Sequence, residues 1–124
     1  ARMAAERATP DDVALLRQRI ADQRAAVADD AAFLACDMAF HREIARISGN
    51  PIFPAVVEAV FQWASAHHLT MVRAPGAEAL TLEEHGRLVD AIAAHDAAGA
   101  EAAVRAHLTR SNARYPQLLR PAGR

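Results

Sequence analysis

Apolar residues recur at helical spacing along the whole chain, and polar punctuation cuts them into segments. No stretch alternates apolar and polar positions as a half-buried strand does, and no Asn-Gly or Asp-Gly pair marks a hairpin. Residues 1–8 read as the closing turns of a helix begun upstream, so the chain, opening on Ala1, reads as a fragment. Thr9-Pro10-Asp11-Asp12 supplies a hydroxyl cap, a proline at the first helical position and acids in the first turn. It predicts a helix to about Ala28, with Val13, Leu16, Ile20 and Val27 on one stripe. Asp29 or Asp30 caps the next helix, which ends at Ser48-Gly49, the glycine suiting the left-handed position past a helix end. Asn50-Pro51 repeats the cap-plus-proline signal and predicts a helix to about Arg73, followed by a turn at Ala74-Pro75-Gly76. Thr81-Leu82-Glu83-Glu84 has the spacing of a capping box and starts a helix reaching about His95. Asp96 caps a last helix to about Arg114, and Pro116 discourages its continuation. Five full helices and an N-terminal remnant, joined by short loops, predict an all-α antiparallel bundle of about six helices, one domain over 1–124.

Composition narrows the function classes. The chain has 124 residues, 52% hydrophobic and 23% charged, which is globular rather than disordered. Lys plus Arg number 14 against 15 Asp plus Glu, a net charge of −1. A domain without cationic excess is a poor nucleic-acid binder on its own, because phosphate contacts need cations. The single cysteine, Cys36, excludes an internal disulfide and fits a reducing, cytoplasmic setting. No apolar run approaches the ~20 residues of a membrane span.

Polar groups on the apolar stripes carry the candidate chemistry. Phe33, Leu34, Phe40, Ile44 and Ile47 form the stripe of the third helix, and Asp37 and His41 sit on or beside it, four apart and therefore on one face. Taken alone, the pair reads either as an Asp–His hydrogen bond or as the start of a metal site. His85 precedes Asp96 by 11 residues and His107 follows it by 11. On antiparallel helices both then lie roughly 16 Å from the turn, at one level. His85 shares its stripe with Leu82, Leu88, Val89 and Ile92, and His107 with Ala103, Val104 and Leu108. Three imidazoles and a carboxylate on three helices suit a borderline divalent metal, zinc first, with nickel, iron, manganese or cobalt as alternatives. Calcium, which wants oxygen ligands, fits poorly. Of the other histidines, His67 and His68 are adjacent, so at most one faces inward, and His95 reads as a helix C-terminal charge effect. Cys36, Trp63 and Tyr115 read as packing residues. HExxH, CxxC, GxSxG and a phosphate loop are all missing. Glu43 and Glu84 are the nearest general bases, but Glu84 is turned ~100° from His85 on its helix.

The motifs in order resemble a known family. Asp37-Met38-Ala39-Phe40-His41 is similar to its D-x-x-F-H helix, and Ser48-Gly49-Asn50-Pro51 to its small-Gly-Asn-Pro turn. Leu82-Glu83-Glu84-His85 with Asp90-Ala91-Ile92 resembles its E-H…A-I stretch, and Asp96 to His107-Leu108 its G-D…H-L ending, with His95 where glycine is usual. Ala4-Ala5-Glu6-Arg7-Ala8-Thr9 resembles the end of its opening helix. The family is the FCD domain, the C-terminal effector-binding domain of GntR-type bacterial transcription regulators. The resemblance covers nearly the whole chain and is weakest over 55–80. It implies an antiparallel bundle that follows an N-terminal winged helix-turn-helix domain, which lies outside this chain. It also implies a divalent metal held by one Asp and three His, here Asp37, His41, His85 and His107, and a small carboxylate effector completing its coordination.

The leading reading is therefore a metal-dependent sensor, not an enzyme, acting as a homodimer and reaching DNA only through the upstream domain. Occupancy would bias helix packing and hence the spacing of two DNA-binding domains. Two alternatives are a small metal-dependent hydrolase-like enzyme, since such a site can activate water, and a bundle whose metal only ties helices together. On helical phase, Gln62, Ser65 and His68 on the 51–73 helix, and Ser111 one turn beyond His107, are the candidate effector contacts.

Overall fold

The computed structural model describes residues 1–67 and 76–112, with the side chains of Ala64, His67, Ser111 and Asn112 outside the description. Six helices follow one another: α1 Arg2–Arg7, α2 Pro10–Ala25, α3 Asp30–Ile47, α4 Ile52–His67, α5 Glu78–Ala93 and α6 Ala97–Asn112. The described residues include no strand, and the architecture is the all-α bundle. α2 packs against α3 and α5, α5 against α6, and short α1 against α3, α5 and α6. α4 lies on the outside against α3.

Local chemistry explains most of the boundaries. Thr9 and Asp12 form a reciprocal capping box: Thr9 Oγ1 accepts from Asp12 N–H (3.1 Å) and Asp12 Oδ2 from Thr9 N–H (2.9 Å). Asp29 Oδ1 accepts from Ala32 N–H at 3.0 Å, and Asp96 Oδ1 from Gly99 N–H at 2.9 Å, capping α3 and α6. Gly49 closes α3 at φ 77°, and a Cβ there would run into the Arg7 side chain.

His95 takes the left-handed position that glycine usually fills after α5, at φ 54°. His95 N–H donates to Ile92 C=O at 3.0 Å and Asp96 N–H to Ala91 C=O at 2.9 Å, the Schellman pattern. The His95 ring then donates from Nδ1 to Ala5 C=O at 2.8 Å. It is a tie between the α5–α6 turn and α1, more than the C-terminal charge effect expected.

Leu16, Ile20, Phe33, Phe40, Ile44, Ile47, Leu82, Leu88, Val89 and Ile92 form the core. Each such side chain contributes about 1.5–3 kcal/mol by leaving water. Ala4, Ala5, Ala8 and Ala100 are buried among them and let α1 and α6 approach closely.

Several expectations need correction. α2 stops at Ala25, so Val27 falls beyond the stripe and is exposed. α5 begins at Glu78, a turn before the expected Thr81 cap; Ala77 takes the cap position without a side-chain bond. Thr81 Oγ1 instead accepts from Arg110 Nη2 at 3.1 Å. Trp63 and Leu108 are about half exposed rather than core: Trp63 lies toward the outer side of α4, and Leu108 follows His107 by one residue and so turns ~100° from it. The expected helix ends at Arg73 and Arg114, the turn at 74–75, Pro116 and Tyr115 lie outside the described residues.

Candidate metal centre

The α5–α6 hairpin and the middle of α3 bring three histidines together. One ring nitrogen from each of His41, His85 and His107 lies within 4.8 Å of the others. His85 and His107 face across the hairpin with Nε2 atoms 3.3 Å apart, the common level that the spacing about Asp96 predicts. Asp37, one turn before His41, lies beside the cluster: its Oδ1 is 3.4 Å from His85 Nε2 and its Oδ2 3.8 Å from His41 Nε2. Asp37 and His85 are buried, His41 and His107 nearly so.

Aromatic rings pack against the histidines. Phe40 stacks on His85 with ring centroids 4.1 Å apart, and Phe61 of α4 lies 5.5 Å from His41. Burial, foremost, holds the His41 imidazolium below its ordinary pKa; His107 pushes the same way and Asp37 opposes. Burial and then His41 and His107 push His85 down to about 2. These rings are therefore neutral at pH 7, the state in which imidazole ligates a metal. A convergent imidazole set beside a carboxylate fits a borderline divalent ion better than a hard one.

Two residues complete the surroundings. Gln23 of α2 is fully buried; its Nε2 donates to Asp37 Oδ1 at 2.9 Å and its Oε1 lies 2.9 Å from His85 Nδ1. Glu84 Oε2 accepts from His107 Nδ1 at 2.7 Å and from Arg110 Nε and Nη2 at 3.1 and 2.8 Å. Sequence reasoning missed both roles. Gln23 stands three residues after Ile20 and seven after Leu16, so a polar residue on the buried stripe was the signal. Glu84 does turn from His85, but across the hairpin it meets His107. Glu43 is buried but pairs with Arg46 at 2.7 Å, outside the cluster. Gln62 is exposed and donates to Glu58 at 3.1 Å, while Ser65 is half-buried. His68 and the Ser111 side chain lie outside the described residues.

A helical bundle with a buried histidine cluster at the α3, α5 and α6 junction is what the sequence motifs imply for an effector-binding domain. Residues 1–110 match the FCD domain, and the chain belongs to that family, a ligand-sensing regulatory domain of GntR-type transcription regulators rather than an enzyme. Among curated relatives, the HTH-type transcriptional repressor NanR of Escherichia coli (strain K12) is 34% identical over 116 residues, 92% of this chain and 44% of that protein. The NanR of Shigella flexneri gives the same figures, and that of Cronobacter sakazakii is 36% identical over 112 residues, 86% of this chain and 42% of that protein. The chain thus spans less than half the length of the relatives it matches.

Proposed function

We propose that this domain senses a small organic carboxylate through a divalent metal held by Asp37, His41, His85 and His107. The observation that carries the reading is the convergence of three largely buried imidazoles within 4.8 Å beside the Asp37 carboxylate. Zinc heads the metals such a donor set takes, with nickel, iron, manganese and cobalt behind it. The ion would supply the positive charge that lets a carboxylate leave water beside these rings. The chain's own residues orient the effector: Phe61 brings α4 to the edge of the cluster, and Gln62 and Ser65 of α4, Ser111 of α6, and His68 are the candidate contacts.

In the whole protein, DNA binding is assigned to a segment outside this chain, in keeping with the net charge of −1 and with the repressor names of the relatives. The protein then works in the cytoplasm; among the described residues no helix is long and apolar enough to cross a membrane. It acts as a homodimer through α4. Ile52 (65% exposed), Val56 (51%) and Val60 (57%) repeat every four residues, with Phe53 and Trp63 beside them. The stripe offers on the order of 500 Å² of apolar surface, close to the apolar share of the ~800 Å² each partner gives a standard interface. Glu58, the one Asp, Glu, Lys or Arg of α4, pairs with Arg42 of α3, so two copies meet without opposing carboxylates along the stripe.

Thermal melting tests the sensor reading. Citrate, lactate and gluconate are added separately to metal-loaded and chelator-stripped protein. At least one acid is expected to raise the melting temperature of the loaded form alone. An equal rise in both forms would place the effector away from the ion, and no rise with any carboxylate would leave a metal that only ties helices together.

A further inference from the structure

Two hydrogen-bonded chains reach the histidine cluster from outside it. In the first, the Gln23 amide bridges Asp37 and His85. A carboxylate oxygen accepts, so the amide NH₂ faces Asp37 and the amide carbonyl faces His85; the His85 ring must therefore donate from Nδ1. In the second, Glu84 Oε2 receives His107 Nδ1, and Arg110 fixes that oxygen by donating to it twice. An ionised carboxylate again requires Nδ1–H on the ring. With one proton per ring, held at Nδ1 by these partners, Nε2 of both His85 and His107 is left as a bare lone pair. These two atoms oppose each other at 3.3 Å. At that distance one ring would ordinarily donate to the other, and here neither has a proton to give.

We propose that Gln23 and Glu84 are positioning residues that lock His85 and His107 in the Nδ1–H tautomer, leaving opposed lone pairs that a cation relieves. The inference rests on the metal reading above and adds what selects the ion-ready state before any ion arrives. Both donor atoms are bared and aimed in advance, so binding requires no change of tautomer. The cost falls on the metal-free state, which holds two unsatisfied acceptors in a buried place.

The test uses the metal-free, ¹⁵N-labelled chain at pH 8, with ring tautomers read from long-range ¹H–¹⁵N spectra, and zinc affinity measured by calorimetry. Wild type should show protonated Nδ1 and bare Nε2 at both His85 and His107. Glu84→Gln keeps the shape, and its amide can turn its NH₂ toward His107. That ring should then populate the Nε2–H tautomer and donate to His85, and zinc should bind about 10–100-fold more weakly. Gln23→Leu should free the His85 tautomer and weaken zinc similarly. An Nε2–H tautomer at either ring in wild type would overturn the proposal whether or not the variants fold. So would Glu84→Gln with unchanged tautomer and unchanged affinity. Wild type with both Nδ1–H rings but no zinc uptake would keep the tautomer assignment and overturn the metal reading instead.

Discussion

Burial decides how His41 and His85 titrate, and the sign of its effect on stability follows. His41 and His85 are both held below the ordinary value, chiefly by burial. Above about pH 6.5 neither the folded nor the unfolded chain protonates these rings; below it only the unfolded chain does, so their contribution to stability falls as pH drops. Protons also compete with the metal for the same nitrogens. The metal-loaded chain should therefore lose more melting temperature to a chelator at pH 7.5 than at pH 5. Equal losses at the two pH values would speak against histidine ligation. Spacing about Asp96 put His85 and His107 at one level, and a four-residue step put Asp37 and His41 on one face of α3; the four as one ligand set came from the family resemblance. Gln23 and Glu84 were not legible as partners, because their roles depend on which atom of a neighbouring helix stands 2.7–2.9 Å away. Spacing within one helix carries no such information.

The helix boundaries were legible where the cap is local: Thr9, Asp29 and Asp96 each bond an amide three residues on. Thr81 had an equally good local signal and failed, because α5 extends a turn further back and Arg110 of α6 takes the hydroxyl. His95 shows the opposite case, an unfavourable residue kept by a distant contact. It sits at φ 54° and bonds Ala5. His95→Ala keeps the positive φ and loses that bond, whereas His95→Gly loses the same bond and relieves the backbone. The glycine variant should exceed the alanine variant in stability by about 1 kcal/mol in urea unfolding. Equal midpoints would show that the backbone carries no strain there. Cavity formation should cost more: Ile92→Ala, with Ile92 fully buried in the core, should lose about 2–5 kcal/mol in the same assay.

For the molecule as a unit, the outer helix sets the clearest expectation. Trp63 looks like core material in the sequence because residue type cannot say which apolar face of α4 meets α3. A dimer surface and a core stripe share the same 3.6-residue pattern. Val56→Asp should convert a dimer to a monomer in sedimentation experiments, with the fold and zinc binding unchanged. A wild-type chain that stays monomeric, or a variant that stays dimeric, would remove α4 as the interface.

Zinc titration of the chelator-stripped chain at pH 7.5, in wild type and in His85→Ala and His107→Ala, reads the histidine cluster most directly. Wild type should bind one ion per chain, and each substitution should abolish that binding or weaken it at least tenfold. No uptake by wild type, or uptake that survives both substitutions unchanged, would contradict a metal centre at Asp37, His41, His85 and His107.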